Sequence, residues 1–330
     1  MSRDPAVVVI GGGTGLSTML RRLKLKTGRI TAIVTVADDG GSSGRIRSEL
    51  GIPPPGDIRN TLVALANTEP LMEQLFQYRF DWGKGLEGHS FGNLFIAAMT
   101  DITGDFEAAI RTSSQVLAVR GQVLPSTLSS VTLRAEYEDG STTSGESLIP
   151  QRGKKIRRVF LEPENCKPLE EAIAAIDSAD AIVLGPGSLY TSVLPNLLVR
   201  DIREAVRRST APKIYICNVM TQPGETEDYK ASDHVRALLN HVGPGLIDYV
   251  IINTAAVPDD LLERYRREGA EPVEPDVEAV AALGVTPITA EVISMTNLVR
   301  HNPEKLADAI WRIISERTSA GTLGKLVKHL

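Results

Sequence analysis

The chain alternates short apolar runs with amphipathic stretches, and that alternation sets its elements. Ala6-Val7-Val8-Val9-Ile10 is an unbroken, β-branched apolar run, as expected of a strand buried on both faces of a parallel sheet. Gly11-Gly12-Gly13-Thr14-Gly15 follows at once, and Leu16, Met19, Leu20 and Leu23 then recur at helical spacing. Strand, glycine turn and helix open a doubly wound α/β unit. A second strand is expected over Ile30 to Ala37, ending at Asp38-Asp39-Gly40-Gly41-Ser42-Ser43-Gly44. A long loop through Pro53-Pro54-Pro55-Gly56 leads to a helix from about Asp57 to Asn67.

Residues 71–118 read as mainly helical, interrupted over Asp81 to Ser90 by Gly83, Gly85 and Gly88. From Gly121 to about Leu161 the period falls to two. Val131, Leu133, Ala135 and Tyr137 alternate with polar residues, and Asp139-Gly140 signals a hairpin turn. This predicts a small antiparallel β insert over 119–162 within a single 1–330 domain. The α/β rhythm resumes with strands at Ala181–Leu184, Ile214–Asn218, Tyr249–Asn253 and around Ile288–Ile293, separated by helices near 168–178, 197–208, 229–241, 259–268 and 303–316. A loosely held tail is expected over 319–330.

Composition narrows the class. Hydrophobic residues are 42% and charged residues 23%, the balance of a globular chain. A net charge of −5 disfavours a protein that neutralises nucleic-acid phosphates over its surface. The charge-free run from Ala181 to Val199 is as long as a membrane span. Gly185, Pro186, Gly187, Pro195 and Asn196 break it, so no membrane insertion is expected. Cys166 and Cys217 show no framework spacing, which fits a reduced cytoplasmic setting.

The glycine turns carry the candidate chemistry. A turn between the first strand and the first helix points backbone N–H groups at an anion, and the helix dipole favours it there. Gly12, Gly13, Thr14 and Gly15 are candidates for such contacts. Leu16 stands where a P-loop has lysine and where one reading of the dinucleotide fingerprint has its third glycine, so neither pattern is complete. An NAD(P) enzyme survives only as a fold analogy.

Asp38 and Asp39 stand at the carboxyl end of the second strand, and neighbouring side chains on extended backbone point opposite ways. With Asp57, one of them forms a carboxylate pair suited to a divalent cation or to general-base work. Gly185-Pro186-Gly187-Ser188 is a second glycine turn after a buried strand, and Asn218 and Thr221 follow the next strand toward the same sheet edge.

Val-Ile-Gly-Gly-Gly-Thr-Gly-Leu-Ser (9–17), Val-Ala-Asp-Asp-Gly-Gly-Ser-Ser-Gly (36–44), Pro-Pro-Gly-Asp-Ile-Arg-Asn (54–60), Gly-His-Ser-Phe-Gly-Asn-Leu (88–94), Gly-Pro-Gly-Ser-Leu-Tyr-Thr-Ser (185–192) and Asn-Val-Met-Thr-Gln-Pro-Gly-Glu-Thr (218–226) occur in this order. As a set they resemble the bacterial YvcK proteins, the gluconeogenesis factors. The wider superfamily includes CofD, the 2-phospho-L-lactate transferase, with a Rossmann-like core and mainly parallel sheet.

The resemblance implies a cytosolic UDP-sugar binder, UDP-N-acetylglucosamine above all. It would support cell shape and wall synthesis during gluconeogenic growth through an unidentified regulatory protein partner, with a homo-oligomer compatible. It places Tyr265 and Arg300 on the ligand, and the shared motifs add Ser43, Asn60 and Asn93 to the expected ligand set. Tyr suits stacking on uracil and Arg suits a bidentate grip on a diphosphate. The alternative implied by CofD is a Mg²⁺-dependent transferase acting on a nucleotide-activated donor. Asp39 and Asp57 would then be the catalytic carboxylates and Asp57 a metal ligand. Gly40-Gly41-Ser42-Ser43 offers no aromatic platform for a deazaflavin acceptor, which favours a non-catalytic binder.

Overall fold

The structure, a computed structural model, describes residues 4–295 and 299–327. The chain runs β1 (Val7–Gly11), α1 (Gly13–Leu23), β2 (Ile30–Val34), α2 (Gly41–Leu50), α3 (Gly56–Leu65), α4 (Pro70–Gln77), α5 (Phe91–Thr103) and α6 (Phe106–Val116). β3 (Gln122–Pro125), β4 (Thr132–Tyr137), β5 (Thr142–Ser144), β6 (Ile156–Glu162), α7 (Glu170–Asp177) and β7 (Ala181–Leu184) follow. Then come α8 (Leu194–Leu198), α9 (Arg200–Arg208), β8 (Lys213–Ile216), α10 (Ala231–Val242), β9 (Tyr249–Asn253), α11 (Asp259–Arg267) and α12 (Val277–Ala282). β10 (Thr286–Ala290), β11 (Ile293–Met295), β12 (Val299–His301) and α13 (Pro303–Val327) close the order.

Seven strands form one parallel sheet in the order β10-β9-β8-β7-β1-β2-β3. The chain builds outward from β1 to β2 and β3, then returns to lay β7 on the other flank of β1. The strand order therefore reverses between β1 and β7, the place where open α/β sheets bind ligands. Val8 and Ile10 of β1 enter one apolar cluster with the helices α7 to α10 and the small antiparallel sheet. Val7 and Val9 enter the other, with α1, α3 and α13. Period two along the strand thus feeds two cores. On α1, Leu16, Met19, Leu20 and Leu23 are all buried, and each buried leucine contributes about 1.5–3 kcal/mol.

Three expectations shift. Gly41–Leu50 is a helix where the sequence reads as loop. Glycine and serine dominate its first turn and Ile46 is its one buried large apolar side chain, so it carries almost no helical periodicity. The antiparallel unit is β4, β5 and β6, in the order β5-β4-β6. Gln122–Pro125, inside the expected insert, pairs in parallel with β2 and belongs to the main sheet. Alternation marks any half-buried strand and cannot say which sheet it joins. The last helix continues through Val327, and residues 328–330 of the expected tail lie outside the described residues.

Candidate functional site

The two glycine turns touch each other at the switch point. Gly13 begins α1 with φ +73, a backbone state that favours glycine. A Cβ on Gly187 would stand 3.0 Å from the Gly12 carbonyl, and one on Gly15 3.3 Å from the Pro186 carbonyl. Hydrogen at these positions lets the backbones approach this closely without strain, whereas a Cβ would force the facing carbonyl to give by a few tenths of an ångström. Asn196 locks the pair, its Nδ2 donating to the carbonyls of Gly11 (3.1 Å) and Ser192 (2.9 Å).

Behind the second turn, polar side chains bond across the crevice floor. Asn218 Nδ2 donates to Gln222 Oε1 at 3.1 Å, and Gln222 Nε2 donates to Ser188 Oγ at 2.7 Å. Thr221 Oγ1 accepts the Glu271 N–H at 2.9 Å. Thr191 Oγ1 donates to Glu225 Oε1 at 3.1 Å.

The opposite wall comes from late elements of the chain. Tyr265 on α11 and Arg300 on β12 line the same cavity of ≈ 690 Å³ as Gly13, Thr14, Gly15, Pro186, Gly187, Ser188, Asn218 and Thr221. Tyr265 packs in a small apolar cluster with Val219, Met220, Ile293 and Val299. His301 Nε2 lies 3.1 Å from the Cys217 carbonyl, and burial pushes its pKa down to about 4. The ring is neutral and donates to that carbonyl.

Carboxylates gather at the insert side. Asp38 Oδ1 accepts the Gly40 N–H at 2.9 Å, an Asx turn. Asp39 Oδ1 accepts the Ser147 N–H at 2.9 Å, which ties the second loop to the segment after β5. The neighbouring aspartates do diverge. Asp39 lines a separate cavity of ≈ 670 Å³ with Arg45 and Arg47 and not the main one. Asp57 accepts the Gly13 N–H, and burial with the nearby Asp38 charge lifts its pKa to about 6. Burial and the charges of Asp38 and Asp57 raise Glu146 to about 8, and burial raises Glu225 to about 7. Among the described residues, no group of three or more His, Cys, Asp or Glu is arranged to hold a metal ion.

The remaining expected residues stand back from the cavity. Asn93 Nδ2 donates to Ser42 Oγ (3.1 Å) and Ser43 Oγ (3.5 Å), fastening α5 onto α2. Asn60 Oδ1 accepts from the Arg59 guanidinium at 2.7 Å. Gly12 and Gly185 shape the turns from behind. Sequence reasoning missed Glu146, Glu225 and His301 on the cavity wall and Asn196 behind it. Glu225 lies in Gln222-Pro223-Gly224-Glu225-Thr226, directly after residues already suspected, and that adjacency was the available signal.

A family model described as 2-phospho-L-lactate transferase CofD matches residues 7–293. The chain is 55% identical over 317 residues to a gluconeogenesis factor of Bacillus subtilis, covering 96% of this chain and 100% of that protein. It is 57% identical over 305 residues to a gluconeogenesis factor of Halalkalibacterium halodurans, covering 92% and 95%. A crystal structure of a Bacillus halodurans protein superimposes with a TM-score of 0.92 at 56% identity, covering 94% of this chain and 100% of that one. Among the described residues, no helix is long and apolar enough to cross a membrane.

Proposed function

The chain belongs to the CofD family, with gluconeogenesis factors among its near relatives, and from that footing we propose that the crevice at the switch point binds a UDP-sugar as a regulatory ligand. UDP-N-acetylglucosamine is the leading candidate. The protein would act in the cytoplasm, reporting wall-precursor supply to a protein partner that governs cell shape during gluconeogenic growth. One observation carries the reading: Tyr265 and Arg300, remote in sequence from both glycine turns, line the same ≈ 690 Å³ cavity. The amides at the start of α1 suit the diphosphate, Arg300 adds a cation, and Tyr265 offers an aromatic surface for the base. Ligand occupancy would favour one arrangement of the loops over others, which is what a sensor requires.

Isothermal titration with UDP-N-acetylglucosamine, with and without Mg²⁺ and with the ligand recovered and weighed by mass spectrometry, tests this. Saturable binding, intact ligand and at least about tenfold weaker binding by Arg300→Ala are expected. Arg300→Ala binding as tightly as wild type would remove the assignment.

A second reading, a Mg²⁺-dependent transferase, draws on the placement of Asp57. A carboxyl with a pKa of about 6 against the first residue of α1 suits general-base work. A magnesium ion there would be held by Asp57 and Asp38, with its other ligands from ligand phosphates and water. It would supply charge neutralisation at the phosphates. Metal-dependent turnover of a nucleotide-linked donor, abolished by Asp57→Asn, would establish this reading over simple binding.

A further inference from the structure

The crevice is lined by two chemically different sets of groups. The N–H groups of Thr14 and Gly15 at the start of α1 and the Arg300 guanidinium attract an anion. Glu225 and, from the segment after β5, Glu146 bring carboxyl groups to the same cavity, and burial lifts their pKa values to about 7 and about 8. A diphosphate therefore settles toward the glycine turns and Arg300. A group that pairs with the ionised Glu225 has to bring hydrogen-bond donors.

Glu225 is built to receive such a group. It is 6% exposed, Thr191 Oγ1 donates to its Oε1, and the Tyr190 N–H also bonds its carboxyl group. Its Oε2 is buried without a partner. A buried carboxylate oxygen left unsatisfied is costly, and native structures rarely keep one without a use. Among the described residues, the other buried side-chain atom without a partner on this cavity is Asn218 Oδ1, also an acceptor. Neither atom has a protein donor within hydrogen-bond distance, so each can accept one from a ligand. A diphosphate has only acceptors at neutral pH, so the donors come from the nucleoside or from the sugar, whose hydroxyls an N-acetyl sugar supplements with an amide N–H.

Building on the reading that this crevice takes a UDP-sugar, we infer that Glu225 is the residue that recognises the sugar, its Oε2 accepting a sugar hydroxyl or amide N–H. The ligand then lies with the nucleotide between Tyr265 and Arg300, the phosphates over the glycine turns and the sugar against Glu225. The reverse pose would take the phosphates away from the glycine-turn amides and leave the buried Glu225 and Asn218 oxygens without a donor.

Titrating wild type and Glu225→Ala with UDP-N-acetylglucosamine and with UDP separates the two ends of the ligand. The variant is expected to bind UDP-N-acetylglucosamine about tenfold more weakly and UDP within about twofold of wild type. Equal loss for both compounds, or no loss for either, would overturn the assignment of Glu225. A wild type that binds neither compound removes the UDP-sugar reading itself, and this inference with it. Should Glu225→Ala fail to fold, saturation-transfer NMR on wild type decides. Strong saturation of the sugar-ring and N-acetyl protons is expected, and sugar protons left unsaturated beside a saturated uracil would overturn the inference.

Discussion

The hydroxyl of Tyr265 receives the N–H of Val299 at 2.9 Å and lies 3.4 Å from the Val299 carbonyl, so a side chain of α11 holds the first residue of β12. Arg300 is the next residue. The aromatic ring and the cation expected on the ligand are thus one mechanical unit, with Tyr265 setting where the Arg300 backbone runs. Val299 is 4% exposed, so its N–H has little access to water once the hydroxyl is removed.

Tyr265→Phe keeps the ring and leaves that buried N–H unpaired, at a cost of about 1–3 kcal/mol. Because β12 is short, the cost falls on the position of Arg300. Binding of UDP-N-acetylglucosamine is expected to weaken about tenfold although the aromatic surface persists. In a double-mutant cycle, Tyr265→Phe combined with Arg300→Ala is expected to lose far less than the sum of the single losses. Strictly additive losses by calorimetry would show that the two residues act separately.

Gly12 gives a second expectation, and it rests on space and not on backbone conformation. Its φ of −171 is ordinary extended backbone. A Cβ there would stand 2.4 Å from Asp57 Oδ2 and 2.9 Å from Thr35 Cγ2. Gly12→Ala should therefore push Asp57 off the Gly13 N–H and splay the first turn. A loss of about 1–3 kcal/mol in stability is expected, together with a clear fall in ligand affinity. Urea unfolding and titration on the same sample would check both.

The raised carboxyl pKa values predict how stability depends on pH. Glu146, Glu225 and Asp57 titrate near 8, 7 and 6 in the folded protein, against ordinary values of 4.5, 4.5 and 3.8. The folded state therefore holds more protons than the unfolded chain between about pH 4 and pH 8. By linkage, their contribution is fully present below the ordinary values and is lost as pH rises through the folded ones. Melting temperature is expected to fall from pH 5 to pH 8.5 in scanning calorimetry. Glu146→Gln, neutral throughout, should flatten that fall and melt above wild type at pH 8.5. A wild-type melting temperature that rises over this range would contradict the proton assignment.

What was legible in the sequence follows from the physics of each element. β1, β7 and β9 are continuous apolar runs, and buried parallel strands have no other signature to show. Both glycine turns stood out because a Cβ at Gly15 or Gly187 would crowd the facing backbone. α2 was illegible because backbone contacts and its neighbours hold it, including the Arg47 guanidinium donating to the Val131 carbonyl, and not an apolar stripe. Tyr265 and Arg300 carry no local signal, and only the family resemblance placed them on the ligand. Glu146 and Glu225 were invisible for a different reason. A carboxylate in a loop reads as solvated until folding brings Asp38 and Asp57 beside one and buries the other.

Asp57 separates the binder from the transferase most sharply, because the two readings predict opposite effects of one substitution. In either case the amide oxygen introduced by Asp57→Asn still accepts the Gly13 N–H, so the turn keeps its shape. For a binder, the Asp57 carboxylate sits beside the amides that would take the phosphates and repels them. Removing like-charge repulsion of at least about 1 kcal/mol, the bulk-water value for unit charges about 4 Å apart, should tighten UDP-N-acetylglucosamine binding about fivefold or more. The gain should be larger at pH 8 than at pH 5, because Asp57 is charged above its pKa of about 6 and mostly neutral below it. For a transferase, Asp57→Asn would instead remove the base and a metal contact, and turnover would vanish whatever happened to affinity. Titration at the two pH values, with product followed by mass, reads both outcomes from one protein. Weaker binding by Asp57→Asn at pH 8 would mean that the carboxylate helps to hold the ligand, directly or through a cation, and the simple sensor would have to give way.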